Sequence, residues 1–312
     1  MLLKRIITAS VLAALIALAV FKLPMEYFSL LIGLITLLAA WEWCSLADVT
    51  SPVKRVLFLL ALILPMLGIH FWTQFLELVA QATDWTDVRD YSGALEWLVI
   101  PPVLFWILVM ILIRNTPTGV LSLKLKTRYK ALIGWFVLLS AWMFLSRLRA
   151  FHGPEMTMYF LILIWAADIS AYFAGKKWGT TKLAPEISPG KTVAGMYGAL
   201  IIGVFWAATF IGYYGYRDGF VWIRIFDFLL LSVLTVLISI YGDLFMSVVK
   251  RQRGVKDSGT LLPGHGGILD RIDSLIAAIP FFYAGITLIG LSILSRIPPC
   301  PGNNVPLSFK PR

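Results

Sequence analysis

The stretch SLIAAIPFFYAGITLIGLSILS, residues 274–295, decides the fold class. It carries no charged side chain, and a helix needs roughly 17–25 mostly apolar residues to cross a hydrocarbon core. A second stretch, TVAGMYGALIIGVFWAATFIGYYGY at residues 192–216, is equally free of charge. Working outward from these two, nine segments have the length and apolarity of membrane helices: 6–21, 27–44, 56–73, 95–113, 131–148, 156–175, 193–214, 225–249 and 274–294. The first follows Lys4 and Arg5 as a signal peptide does, but no small-residue cleavage pattern precedes Lys22. It is read as a retained signal-anchor helix. The expected fold is an all-α, polytopic integral membrane helix bundle with about nine transmembrane helices. Residues 1–312 form one membrane domain: 1–155 a scaffold of N-terminal helices, 156–295 the catalytic helices with their cytosolic loops, and 296–312 a Pro-rich tail.

Composition agrees. Of 312 residues 59% are hydrophobic and 14% charged, with a mean hydropathy of +0.83. Soluble domains average about 45–50% apolar and about 25% charged. A soluble globule, a disordered chain and a coiled coil are thereby excluded. The net charge of +10 is read as an orientation signal, with no nucleic acid as partner. With the N-terminus in the cytoplasm, 18 of the 27 basic residues fall on the inner side, and the acidic stretch near residues 77–90 falls outside. The expectation is an N-in, C-out protein of the inner (cytoplasmic) membrane, in contact with membrane lipids. Cys44 and Cys300 are too few and too far apart for a disulfide framework or a Cys metal site.

Two inner loops concentrate the polar chemistry. One is GKKWGTTKLAPEISPGKT, residues 175–192; the other is DLFMSVVKRQRGVKDSGTLLPGHGGILDRID, residues 243–273. The second is expected to be a connection of some thirty residues, and loops that long are commonly functional or disordered. Lys250, Arg251, Lys256 and Arg271 are suited to phosphate oxygens. Asp243, Asp257, Asp270 and Asp273 are hard oxygen donors, and Mg²⁺ sites use one or two carboxylates plus substrate phosphates. Gly266 and Gly267 let backbone amides approach an anion, and His265 between glycines suits phosphate or loop contacts. Together these groups are those of a metal–polyphosphate site. A plain juxtamembrane basic patch for anionic lipid heads gains nothing from four carboxylates. In the first loop Ser188, Lys191 and Thr192 lie where a helix opens, a place that favours anions. Asp243, behind the apolar run 228–242, and Asp168, four residues before Tyr172 on one helical face, are carboxylates at membrane depth. Glu42, beside Trp41 and Trp43, and Asp227 read as interfacial, as do His70 and His152.

The second loop resembles the signature of the phosphatidate cytidylyltransferases (CDP-diacylglycerol synthases) of bacterial type, S-x-x-K-R-x4-K-D-x-G-x3-P-x-H-G-G-x-x-D-R-x-D. Ser247, Lys250, Arg251, Lys256, Asp257, Gly259, Pro263, His265, Gly266, Gly267, Asp270, Arg271 and Asp273 fill every fixed position. Residues 182–192 are similar to the family's Lys-Leu-Ala-Pro-x-x-Ser-Pro-x-Lys-Thr segment. Two positions depart from the common pattern: Asp168-Ile-Ser-Ala-Tyr172 stands for Asp-Ser-Gly-Ala-Tyr, and Met246 stands where many members carry Glu.

The resemblance implies transfer of the CMP moiety of CTP to phosphatidate, giving CDP-diacylglycerol and pyrophosphate in phospholipid biosynthesis. It implies Mg²⁺ on Asp243 and Asp270, with K⁺ as a second cation. It gives the phosphates to Lys191, Lys250, Arg251, Lys256 and Arg271, with polar support from Ser188 and His265. It further implies a site on the cytosolic face and a homodimer. The alternatives are a polytopic transporter of an anionic substrate, disfavoured because the charges cluster at one face, a CTP-dependent lipid or polyprenol kinase, and an inactive scaffold.

Overall fold

A computed structural model describes residues 2–83, 86–218, 222–261 and 266–294. The chain runs through α1 (Leu2–Lys22), α2 (Met25–Leu46), α3 (Pro52–His70), α4 (Trp72–Thr83), a 3-10 helix (Thr86–Val99), α5 (Ile100–Asn115) and α6 (Pro117–Ser122). It continues through α7 (Thr127–Trp178), β1 (Lys182–Ala184), β2 (Ser188–Thr192), α8 (Val193–Asp218), α9 (Trp222–Gln252) and α10 (Leu269–Leu294). Seven helices among the described residues are long and apolar enough to cross a membrane. The longest, α7, is one of these seven, and it bends at Gly153, where φ is +82° ahead of Pro154. It therefore contains two of the segments read from the sequence, with no loop between them. The acidic stretch expected as an outer loop is also largely helical, in α4 and the 3-10 helix.

An all-α membrane bundle is what the chain forms, with one addition. Residues 182–192 make a two-stranded antiparallel hairpin, Lys182 opposite Thr192 and Ala184 opposite Ser188. Helix α7 packs on α8, α10 and α2, and α9 packs between α10 and α8. Without a hydrophobic force between helices in lipid, small residues set close approaches. A Cβ on Gly198 would meet the Ala174 Cβ at 2.5 Å, joining α7 to α8, and one on Gly242 would meet the Ala277 Cβ at 2.4 Å, joining α9 to α10. Leucines such as Leu30, Leu60, Leu64 and Leu104 point outward, as lipid-facing side chains do.

Two apolar clusters fill the bundle. One is built around Phe144, Tyr159, Phe160 and Phe282. The other, built around Trp43, Trp106, Phe245 and Leu269, also takes in Ile187 of the hairpin turn and so floors the two functional loops. The Glu96 carboxylate of the 3-10 helix accepts from Arg147 and from the Tyr283 hydroxyl at 2.6 Å, tying the 3-10 helix to α7 and α10.

Candidate active site

The long second loop proves shorter than its sequence suggests. Residues 243–252 remain in α9 because Leu244, Phe245, Met246 and Val248 bury against the core, and Lys250 and Arg251 suit a helix C-terminus. The helix ends in a Schellman motif: Gly254 has φ +75°, its N–H donates to Arg251 O at 2.9 Å, and the Val255 N–H donates to Lys250 O at 3.0 Å. The turn sends the chain back toward α10, whose first turn holds Asp270.

Asp270 organises this return. Its Oδ1 accepts from Lys250 Nζ at 2.7 Å. Its Oδ2 accepts from Ser258 N at 2.8 Å, Ser258 Oγ at 3.0 Å and Gly267 N at 3.0 Å. Lys250 and Asp270 are 11% and 7% exposed, so the pair is withdrawn from bulk water. Beside it lies a cavity of about 230 Å³ lined by Ser247, Lys250, Arg251, Lys256, Asp257, Asp270 and Arg271. Seven of the residues singled out in the sequence thus face one space. His265 lies outside the described residues, as do Pro263, Cys300 and the tail 296–312.

The hairpin reaches the same end of the bundle. Lys191 Nζ pairs with Asp243 Oδ2 at 2.7 Å and donates to Ile240 O at 3.3 Å. Asp273, one turn beyond Asp270 on α10, lies in the fields of Asp243, Asp168, Lys191 and Lys250. Asp168 accepts from Ser274 Oγ at 3.4 Å, whereas Tyr172 projects outward, 63% exposed. Asp243 and Lys250 are seven residues apart on α9, about two helical turns or roughly 10 Å of rise.

Other expected ligands have internal duties. Thr192 is buried, and its Oγ1 accepts from the Gly195 N–H at 3.1 Å, capping α8. Ser188 is half-buried in β2. Gly266 adopts φ +80°, and a Cβ there would lie 2.9 Å from Asp270 Oδ2. A Cβ on Gly267 would lie 2.2 Å from both Glu42 Oε2 and Ser258 Oγ. In this structure the two glycines make room for the protein's own carboxylates.

Glu42 corrects the sequence reading. It is 3% exposed rather than interfacial. Its Oε1 accepts from Ile268 N at 2.9 Å, and its Oε2 accepts from Leu269 N at 2.9 Å and from Ser258 Oγ at 2.8 Å. It fills the amino terminus of α10, where an anion is favoured. The sequence signal was a lone acid inside an apolar segment, with its partners more than 200 residues away.

Comparison with known proteins fits this geometry. Residues 3–289 match the Cytidylyltransferase family. The chain belongs to that family. The phosphatidate cytidylyltransferase of Haemophilus influenzae is 37% identical over 294 residues, covering 90% of this chain and 97% of the relative. That of Pseudomonas aeruginosa is 37% identical over 285 residues, covering 91% and 96%. That of Brucella abortus is 33% identical over 274 residues, covering 82% and 89%. The family match spans both halves of the bundle, so α2 with Glu42 falls within it, as does the hairpin.

Proposed function

We propose that the chain joins CTP to phosphatidate, giving CDP-diacylglycerol and pyrophosphate. The observation that carries this reading is the cavity where Lys250, Arg251, Lys256 and Arg271 meet Asp257 and Asp270, in a chain that matches phosphatidate cytidylyltransferases along nine-tenths of its length. A phosphatidate oxygen attacks the α-phosphorus of CTP. One P–O bond forms, the α–β bridging bond breaks, and its electron pair leaves with pyrophosphate. The nucleophile is already anionic, so the site has to neutralise charge and hold the groups in line rather than remove a proton. Lys191 and the four basic residues of the loop bind phosphates, Ser188, Ser247 and His265 give polar support, and Asp168 and Asp273 hold the cations around them in place.

Mg²⁺ is the metal this reading requires, with K⁺ as a second cation. Among the described residues no three carboxylates, thiols or imidazoles stand close enough to hold an ion alone. That suits Mg²⁺, which takes one or two carboxylates and completes its shell from phosphates and water. Asp243, half-buried and paired with Lys191, fits as a ligand. Asp270 fits through Oδ1, which accepts from Lys250 and keeps acceptor capacity, whereas three protein donors fill Oδ2. When bound between Asp243 and Asp270, Mg²⁺ would supply positive charge to the triphosphate. We further propose nine spans, an N-in, C-out orientation in the cytoplasmic membrane with the site facing the cytosol, and a homodimer. The distribution of basic residues supports the orientation. Purified protein with Mg²⁺ is expected to release pyrophosphate only when both CTP and phosphatidate are present. Release without phosphatidate, or none with both, overturns the reading.

A further inference from the structure

We propose that Glu42 is a positioning residue for Asp270 and Lys250 at the active-site cavity, so that the amino-terminal half of the bundle sets the geometry of the catalytic half. The inference rests on the reaction proposed above. A fully buried carboxylate on α2 accepts from two successive backbone amides at the start of α10 and from the hydroxyl of Ser258. That hydroxyl also lies 3.0 Å from Asp270 Oδ2, and the Ser258 N–H donates to the same oxygen at 2.8 Å. One hydroxyl proton is thus shared between two carboxylates, Glu42 and Asp270. Asp270 in turn holds Lys250 at the cavity wall. The path from α2 to the cavity is therefore Glu42, Ser258, Asp270, Lys250, each step a hydrogen bond of 2.7–3.0 Å.

The space around the carboxylate is fitted to it. Cβ atoms added to Gly259 and Gly267 would fall 2.6 and 2.2 Å from its two oxygens. Gly259 and Gly267 thus leave room for the carboxylate with nothing larger than hydrogen beside it. No neutral side chain of this size replaces it. A Gln offers one acceptor oxygen to three donors and turns its own amide hydrogens toward the others, leaving buried N–H groups unpaired. Glu42 touches no substrate; it acts through Ser258 and Asp270. Misplacing a positioned group by about 1 Å costs on the order of 100-fold in rate.

The test uses the full-length protein in detergent or nanodiscs, with Glu42→Gln, Ser258→Ala and the double variant. The expected result is a kcat lower by about 10–100-fold for each single variant, with KM for CTP changed by less than about threefold, the mark of an interaction that acts on the transition state. The double variant is expected to be no slower than Glu42→Gln, because both remove the same path. Amide exchange in residues 256–272 is expected to quicken in both single variants while exchange in α7 and α8 stays as in wild type. Ser258→Ala loses only a hydroxyl and keeps the test decisive if Glu42→Gln does not fold. Unchanged loop exchange, or losses that multiply in the double variant, overturn the proposal. Wild-type product formation tests the reaction separately, and the exchange readout holds whatever the reaction is.

Discussion

Removing one member of the Lys250–Asp270 pair separates what it does for stability from what it does for the reaction. In Lys250→Met the stem is kept and the ammonium is lost. Asp270 then retains three donors on Oδ2 but loses the 2.7 Å charged bond on Oδ1. Breaking a fully buried ion pair costs about 3–5 kcal/mol, and a hydrogen bond to a charged group is worth about 1.5–3 kcal/mol. Because both side chains border the cavity, water can reach the stranded oxygen, and the cost should fall near about 2–3 kcal/mol. For a chain of this size that lowers the thermal midpoint by roughly 5 °C. Lys250→Met/Asp270→Asn should recover most of that loss, since an Asn carbonyl can take over the three donors and no charge is left unpaired. Turnover should stay low in both variants. The assay is heat unfolding of the detergent-solubilised protein, with CDP-diacylglycerol formation on the same samples. A single variant as stable as wild type, or a double variant less stable than the single, refutes the pairing; recovery of turnover along with stability refutes a role for Lys250 at the phosphates.

Three further outcomes follow from the same geometry. Thr192→Ala removes the cap on Gly195 N and should cost about 1 kcal/mol, seen as a lower thermal midpoint, because the buried hydroxyl already serves α8. Arg253→Ala removes a pair with Asp48 in which the Arg side chain is 42% exposed; exposed pairs contribute about 0–1 kcal/mol, so stability and turnover should both stay near wild type, and a large loss in turnover would show that the outer side of the loop takes part in the reaction. Chelation of divalent cations should stop product formation and added Mg²⁺ should restore it; turnover that persists through thorough chelation removes the metal from Asp243 and Asp270.

The membrane segments were legible because each carries its own signal: residues 192–216 and 274–295 have no charge, and hydropathy needs no partner to be read. The return loop was legible for a different reason. Its Ser, Lys, Arg, Asp and Gly stand at fixed spacings within residues 247–273, so a local string reports a local site, and seven of them line one cavity. What failed to show was whatever depends on distant partners or on weak local preference. Glu42 gains its meaning from Ser258, Ile268 and Leu269, and no pattern near residue 42 announces them. The glycines of residues 266–267 read as a phosphate cradle, since a missing side chain signals close approach without saying what approaches; here it is Asp270 and Glu42. The hairpin at residues 182–192 has strands of three and five residues interrupted by Pro185, Pro189 and Gly190, too short for alternation to register. The bend at Gly153 hid because a helix resumes at once on its far side.

The central claim is which phosphorus of CTP reaches the lipid. Two parallel reactions of the purified protein with phosphatidate and Mg²⁺, one with CTP labelled at the α-phosphate and one with CTP labelled at the γ-phosphate, test it most directly. Transfer of CMP predicts that α-label enters the lipid while γ-label leaves in pyrophosphate. Entry of γ-label into the lipid with release of CDP would instead make the protein a kinase and contradict the account.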